Sequence, residues 1–212
     1  MAATFNISAK IIDIQSDIPK KEDVFLVDTN ALLWMTYSKV SNAVGNSRLG
    51  IIQKYQNYLN DAIKNGATLL YSGLSLAELA HQVENYEFSI YNKTVSQSTP
   101  PTKKEFRHNS GYANNQKQIL LETKSVWQQV SQFGVLLETH IDNRIVQSAG
   151  YRMKNCKIDG YDLFILESMM QKGVTKIITD DGDFSTVPGI EVFTANRNVI
   201  ATASKTSHLI TR

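Results

Sequence analysis

A single cysteine, Cys156, leaves this 212-residue chain unable to close an internal disulfide, so its fold must rest on burial and hydrogen bonding. No apolar run approaches the roughly 20 residues that a membrane-spanning helix needs. Met1-Ala2-Ala3-Thr4-Phe5 lacks the basic, apolar, then small pattern of a signal peptide. These absences predict a soluble, cytoplasmic protein with no membrane attachment. Excess charge is also scarce: 22 Lys and Arg stand against 20 Asp and Glu, a formal net charge of +2. That is too little for a strongly basic nucleic-acid binder, so contact with a polyanion would need local patches or bound cations. His81, His108, His140 and His208 show no metal-ligand spacing. The lack of a Gly-x-Ser-x-Gly elbow removes the α/β-hydrolase triad. At this length one domain with an elaboration is expected.

What is present is a series of short apolar segments that stop at carboxylates. Val24-Phe25-Leu26-Val27, preceded by Lys20-Lys21-Glu22-Asp23, reads as a strand buried on both faces, as inside a parallel sheet. It ends at Asp28, followed by the capping-type residues Thr29 and Asn30 and an apolar helical start that runs to about Lys39. Ser41 to Ser47 reads as a loop. Ile51, Ile52, Tyr55, Tyr58, Leu59 and Ile63 then predict an amphipathic helix from Leu49 to Lys64, stopped by Gly66. Ala67 to Tyr71 is a second buried strand, and strand, helix and strand in this order imply a right-handed crossover with parallel pairing. A turn at Ser72 to Ser75 leads into a helix carrying Glu78, with Leu76, Leu79 and Ala80 as its apolar side.

Residues 85–134 are the least regular stretch, and Ser96 to Thr102, with Pro100-Pro101, breaks any helix. Around that break basic and aromatic residues interleave: Tyr86, Phe88, Tyr91, Lys93, Lys103, Lys104, Phe106, Arg107, His108 and Tyr112. Single-strand nucleic-acid surfaces share this composition, although a solvated loop over packed aromatics is the plainer reading. Lys103, Lys104 and Arg107 are the residues it offers for contact with RNA or a partner. An amphipathic helix follows from Asn114 to Phe133, then a third strand from Val135 to Thr139 and a helix capped by Asp142-Asn143 that carries Ile145, Val146, Ala149 and Met153. Asp159 and Asp162 precede a long apolar helix reaching Met170, Val174 to Thr179 is a fourth strand, and Ile190 to Phe193 a fifth. Ile11 to Ile14 reads as a short strand or helical turn, and Ala195 to Arg212 as a polar tail.

Taken singly, Asp28 reads as an N-cap and Glu78 as a first-turn acid favoured by the helix dipole. The run Asp180-Asp181-Gly182-Asp183-Phe184 changes that reading, because three carboxylates in four residues repel or raise one another's pKa without a counter-charge. Ligands bind at the carboxyl ends of parallel strands, where these acids fall. Oxygen donors without His or Cys spacing suit Mg²⁺ or Mn²⁺ rather than zinc.

A first strand ending in Asp28-Thr29-Asn30, Glu78 on the helix after the second strand, Asp162 opening the helix before the fourth, and Thr179-x-Asp181-x-Asp183-Phe184 after the fourth resemble the PIN-domain nucleases. The resemblance runs from Val24 to Phe193. It implies an α/β/α three-layer fold with a central parallel sheet in strand order 3-2-1-4-5 and a helical and loop insertion. It also implies an acidic quartet of Asp28, Glu78, Asp162 and Asp181 as catalytic residues and ligands for Mg²⁺ or Mn²⁺, Asp183 as a further ligand, and Asn30 and Thr179 as polar supports. On the residues alone Asp180 competes with Asp181 and Asp159 with Asp162; the flanking motifs favour Asp181 and Asp162. The division that follows is an N-terminal extension over 1–22, a nuclease-like domain over 23–194 with an insertion at about 85–134, and a C-terminal tail over 195–212.

The implied activity is metal-dependent endoribonucleolytic cleavage leaving a 5′-phosphate and a 3′-hydroxyl. Members of the family include toxins held by an antitoxin and ribosomal-RNA-processing enzymes, so a partner protein or a second copy of the chain joins RNA as an expected partner. The competing non-enzyme reading is a PIN-like RNA-binding or assembly scaffold, against which the intact acidic set argues. A dehalogenase-type phosphatase would place a second Asp where Asn30 stands.

Overall fold

The computed structural model describes residues 6–95 and 99–212; Met1 to Phe5 and the part of the expected loop at Ser96-Gln97-Ser98 lie outside them. Among the described residues six strands, β1 (Lys10–Asp13), β2 (Val24–Val27), β3 (Thr68–Ser72), β4 (Val135–Leu137), β5 (Lys176–Ile178) and β6 (Glu191–Thr194), form one sheet. All pairings are parallel, in the order β1-β6-β5-β2-β3-β4. The five expected strands keep their expected order, and the lead-in supplies a sixth, β1, beside β6.

Alternation along the strands builds the two cores. Phe25, Val27, Leu69, Tyr71, Ile178 and Phe193 join one apolar cluster, while Leu26, Leu70, Ile177 and Val192 join the other. The first cluster is covered by α1 (Thr29–Thr36), α3 (Asn46–Lys64), α4 (Ser75–Thr94), α5 (Lys103–His108) and α6 (Ala113–Phe133), with the short α2 (Val40–Ala43) at its margin. The second is covered by α7 (Asn143–Asn155), α8 (Gly160–Gln171) and α9 (Arg197–Lys205). Trp34, Tyr55, Phe25 and Leu33 are at most 1% exposed, and full burial of side chains this large is worth about 2–3 kcal/mol each.

The chain thus builds outward from β2 through β3 to β4 with its crossovers on one face. It then returns through α7 and α8 on the other face and lays β5 against the opposite edge of β2. Strand order reverses between β2 and β5, which opens a crevice beyond their carboxyl ends.

Several local expectations change. Val40–Ala43 is helical and α3 begins at Asn46, so the loop expected over Ser41 to Ser47 shrinks to its middle. Residues 85–134 are mostly helical: α4 continues to Thr94, tied down by Tyr37 Oη donating to Glu87 at 2.8 Å and by Lys39 bridging Glu87 and Glu122, both at 2.7 Å. After Pro101, a capping box starts α5, with Glu105 N donating to Thr102 Oγ1 and Thr102 N to Glu105 Oε2. The interleaved aromatics follow the plainer, packed reading, under helices instead of a loop: Phe106 is fully buried, with Phe88, Tyr91 and Tyr112 ring centroids 5.1–5.3 Å away. Leu76, Val146 and Met153 are exposed, and their helices bury Leu79 with Val83 and Ile145 with Ala149 instead. The C-terminal segment forms α9, capped by Asn196 and anchored by Val199 and Ala203.

Near the amino ends of β2 and β5, Arg212 forks onto two buried carboxylates. Its guanidinium donates to Asp17 at 2.7 and 2.8 Å and to Asp23 at 2.6 and 2.8 Å, and lies 4.5 Å over the Phe193 ring. Lys176 reaches Asp23 at 2.5 Å, and Tyr58 Oη donates to Asp17. Burial alone would raise the Asp23 carboxyl, but the bonds from Arg212 and Lys176 hold it well below the usual carboxylate range. Removing one partner of such a set leaves buried charge uncompensated, so Arg212→Ala should cost about 3 kcal/mol in denaturant unfolding. A loss under about 0.5 kcal/mol would mark the contact as surface decoration.

Candidate active site

Asp28 follows β2 directly, its N–H donating to Ile178 O of β5 at 3.0 Å. It occupies the N-cap position of α1 with extended backbone, yet its side chain makes no capping bond to the helix. Instead Thr179 Oγ1, fully buried at the end of β5, donates to Asp28 Oδ2 at 2.8 Å. The same hydroxyl accepts from Asp181 N at 2.9 Å. Asp181 then caps a 3₁₀ turn, Gly182–Thr186, by accepting from Asp183 N at 2.9 Å. Thr179 therefore fixes the Asp28 carboxylate and the backbone entering Asp181 from one atom.

Glu78 stands in the first turn of α4 and accepts a hydrogen bond from Thr29 Oγ1. Asp162 stands in the first turn of α8. The helix is entered through Asp159 and Gly160, and Gly160 has φ +55°, a left-handed conformation open to glycine at little cost. Asp28, Glu78 and Asp162 line one cleft of about 350 Å³ together with Thr29, Asn30, Ala77, His81, Gln82 and Tyr161. No Lys or Arg lines it.

The electrostatics follow from burial and like charge. The Asp28 carboxyl is pushed up to about 7 by burial, against the Thr179 bond, with Asp181 and Glu78 raising it further. Burial pushes Asp162 up to about 8, reinforced by Asp28, Glu78, Asp181 and Asp159. Glu78 is raised by burial against the Thr29 bond, and Asp183 by burial with Asp181 and Asp159. Asp181, outside the cleft lining, thus acts on the cleft through its charge.

The two competing positions differ in surroundings. Asp180 is turned toward Tyr55 Oη at 3.1 Å and Arg48 at 3.8 Å, and its backbone carbonyl accepts from Asn196. Asp159 is exposed at the N-cap position of α8. Asn30 lines the cleft, whereas Lys103, Lys104 and Arg107 belong to α5 and do not. Arg107 is bonded to the buried Glu84, which Lys103 approaches at 3.8 Å, while Lys104 is exposed. As they stand, no three His, Cys, Asp or Glu side chains among the described residues are gathered tightly enough to hold a metal ion. Two of the cleft carboxylates are still tied to hydroxyls, Asp28 to Thr179 and Glu78 to Thr29.

Sequence reasoning missed several contributors. Thr29 reads as a capping side chain, yet its hydroxyl holds Glu78. Tyr55 reads as an apolar helix position, yet its hydroxyl meets Thr179 O at 2.9 Å, Asp180 at 3.1 Å and Thr194 Oγ1 at 3.0 Å, and accepts from Ala195 N. His81 and Gln82 carry a signal that spacing could have found, lying three and four residues after Glu78 on the same helical face.

No family model matches the chain, and no curated protein matches it in sequence. Among solved structures the chain is similar to VapBC2 from Rickettsia felis bound to a DNA fragment from its promoter, at 16% identity and a TM-score of 0.42, over 81% of this chain and 98% of that one. A likeness that faint carries no weight for activity or partner. Among the described residues no helix is long and apolar enough to cross a membrane.

Asp28 and Asp162 hold protons in the folded state that the unfolded chain, with carboxyls near 3.8, has already lost. Between about pH 4 and 8 the native state is therefore the more protonated, and without divalent cation stability falls as pH rises through that window. The cation-held Asp23 and Glu84 are shifted the opposite way and act below it. In EDTA the melting temperature should drop between about pH 5 and 8, and Asp162→Asn should shrink the drop. A flat wild-type profile would contradict mutual repulsion in the cleft.

Proposed function

We propose that this protein is a divalent-metal-dependent endoribonuclease of the PIN type, with Asp28, Glu78, Asp162 and Asp181 as its acidic set and Asp183 beside it. The observation that carries the reading is the meeting of Asp28, Glu78 and Asp162 in one cleft at the β2–β5 reversal, within reach of the Asp181 charge. An N-cap role does not account for Asp28, whose side chain makes no capping bond.

The donor set fits Mg²⁺ or Mn²⁺. It is all oxygen, buried enough to raise carboxyl pKa values, and lacks a lysine or arginine in the cleft to offset the repulsion. Asp28, Glu78, Asp162 and Asp181 would hold the ion, with Asp183 as a further ligand. When bound, such an ion would make a water easier to deprotonate, and so a better nucleophile toward phosphorus, and would neutralise charge developing on the phosphate.

The remaining work falls to the chain's own groups. Thr179 Oγ1, by donating to Asp28 Oδ2, fixes the orientation of that carboxylate, and Thr29 Oγ1 does the same for Glu78. Both hydroxyls also stabilise the charged form of the acid they touch, against the burial that disfavours it. Tyr55 keeps Asp180 turned aside, which limits the negative charge facing the substrate phosphate. Asn30, a neutral donor and acceptor on the cleft wall, can reach a phosphate or ribose oxygen without adding charge. The chemistry is the same whether the setting is a toxin restrained by an antitoxin or the processing of ribosomal RNA.

Purified protein should cleave RNA in Mg²⁺ or Mn²⁺, stop in EDTA and recover on adding back the ion, leaving 5′-phosphate ends. Cleavage that continues undiminished in chelator, in a preparation whose Glu78→Gln variant is inactive, would sink the metal mechanism. Absence of cleavage by the wild type, with RNA binding retained, would favour the scaffold.

A further inference from the structure

Each outer acid of the run Asp180-Asp181-Gly182-Asp183 lies beside a cation that comes from elsewhere in the chain. Arg48, in the first turn of α3, approaches Asp180 Oδ2 at 3.8 Å, with its Cζ 5.5 Å over the ring of the buried Trp34. Asn196 Nδ2 donates to the Asp180 carbonyl at 2.9 Å, which fixes the backbone of the acid that Arg48 leans on. At the other end Lys157, between α7 and α8, is placed by its own backbone. Its N–H donates to Thr186 Oγ1 at 2.9 Å, and the same hydroxyl donates to the Asp183 carbonyl at 2.7 Å. Cys156 and Ile158 on either side of it are buried, while Lys157 itself is exposed. Its charge acts on the Asp183 carboxyl, against the burial that raises it.

Neutralising two acids does not explain why both cations stay in solvent. Arg48 keeps 54% of its side chain exposed and meets one carboxylate oxygen at a distance, without the paired, forked bonds of a committed guanidinium. Arg212 on Asp17 and Asp23, and Arg107 on Glu84, show the committed form in the same chain. A loose, exposed pair adds little to stability. It does leave a positioned charge that a second anion can share. The cleft itself has acids and no Lys or Arg, and the whole chain carries only +2. A phosphate backbone entering such a cleft is repelled by Asp180 and Asp183 unless those acids are screened and the neighbouring phosphates find cations of their own. Arg48 and Lys157 meet both needs.

We propose that Arg48 and Lys157 are phosphate-binding residues that flank the acidic cleft and hold the substrate backbone on either side of the scissile phosphate. This rests on the nuclease reading. It assigns to two particular side chains the contact for which the sequence offered Lys103, Lys104 and Arg107, of which Lys103 and Arg107 are turned to Glu84. Contacts of this kind carry charge and no base identity, so their loss weakens all sequences alike.

The test measures the affinity of a short fluorescent RNA by anisotropy over a salt series with Mn²⁺ present, in a Glu78→Gln background that leaves the RNA uncut. Arg48→Ala, Arg48→Lys, Lys157→Ala and the double variant are compared with Lys104→Ala, which removes an exposed lysine away from the cleft. KM and kcat are read for the same substitutions in the active protein. Arg48→Ala and Lys157→Ala should each weaken binding about three- to five-fold and lower the slope of log affinity against log salt by about 0.7, the double variant by about twice that. KM should rise by a similar factor with kcat little changed. Arg48→Lys, which keeps the charge, should stay within about two-fold of wild type, and the Mn²⁺-induced shift in melting temperature should survive both single substitutions. Unchanged slope and KM in the folded alanine variants, or an equal loss in Lys104→Ala, overturns the clamp and leaves the nuclease reading intact. A normal slope with an altered Mn²⁺ shift makes the two cations screens for the acids alone and also overturns it. Where Arg48→Ala fails to fold, Arg48→Gln, which keeps a stem over Trp34 without the charge, repeats the test. Wild type that binds RNA without cutting it overturns the nuclease reading while the salt slopes still judge the clamp, and wild type that does neither overturns both.

Discussion

The hydroxyl of Thr179 joins two segments far apart in sequence, donating to the Asp28 carboxylate and accepting from the Asp181 amide. It can do so because β2 and β5 are neighbours, with Val27 opposite Ile178, which brings the first residue past each strand to the same level. That adjacency is produced by the topology. Two outward steps to β3 and β4 have their helices on one face, and the return through α7 and α8 runs on the other. A shift of one residue in the β2–β5 register would turn Asp28 and Thr179 to opposite faces. The register is held by Phe25 and Val27 in one core and Leu26 in the other.

The fold treats buried charge in two opposite ways at the two ends of these strands. Near the amino ends, Asp17 and Asp23 receive Arg212 and Lys176, and the Asp23 carboxyl is held low. At the carboxyl ends, Asp28 and Glu78 each receive a hydroxyl, no lysine or arginine lines the cleft they share with Asp162, and all three carboxyls are pushed up. The first arrangement is complete within the chain and serves the fold. The second leaves free energy to be gained by whatever positive charge enters the cleft, which is how perturbed carboxylates come to mark functional sites.

Much of this was legible in the sequence because it depends on short patterns. Val24 to Val27 ending at Asp28, and the order of strand and helix after it, identify a parallel sheet whose carboxyl edge carries acids. The helical run through Val83 to Thr94 was harder to see, because its support comes from Lys39, Glu87 and Glu122, which lie far apart in the chain. The aromatic and basic residues around Phe106 allowed both a surface and a packed reading because composition does not say which side a ring faces; the packed one, the plainer of the two, is what the structure has, with Phe106 buried behind the capping box at Thr102. Tyr55 could not be recognised at all, since its role comes from a hydroxyl that meets Thr179, Asp180 and Thr194 only in the folded chain. The C-terminal segment looked like a polar tail because Arg212 finds its partners Asp17 and Asp23 about 190 residues earlier.

The most direct test of the central claim, that Asp28, Glu78 and Asp162 share one cleft beside Asp181 in order to hold a cation, is Asp28→Asn melted with and without Mn²⁺ and assayed for RNA cleavage in parallel. The substitution removes one charge and one ligand at nearly constant shape. The account predicts an inactive variant that in EDTA is at least as stable as wild type, by up to about 1 kcal/mol, because repulsion has been relieved. It also predicts that the variant gains far less from Mn²⁺ than wild type, since linkage stabilisation follows affinity for the ion. Asparagine caps a helix as well as aspartate does, so an active Asp28→Asn protein with a full Mn²⁺-induced shift would contradict the account and remove Asp28 from the site.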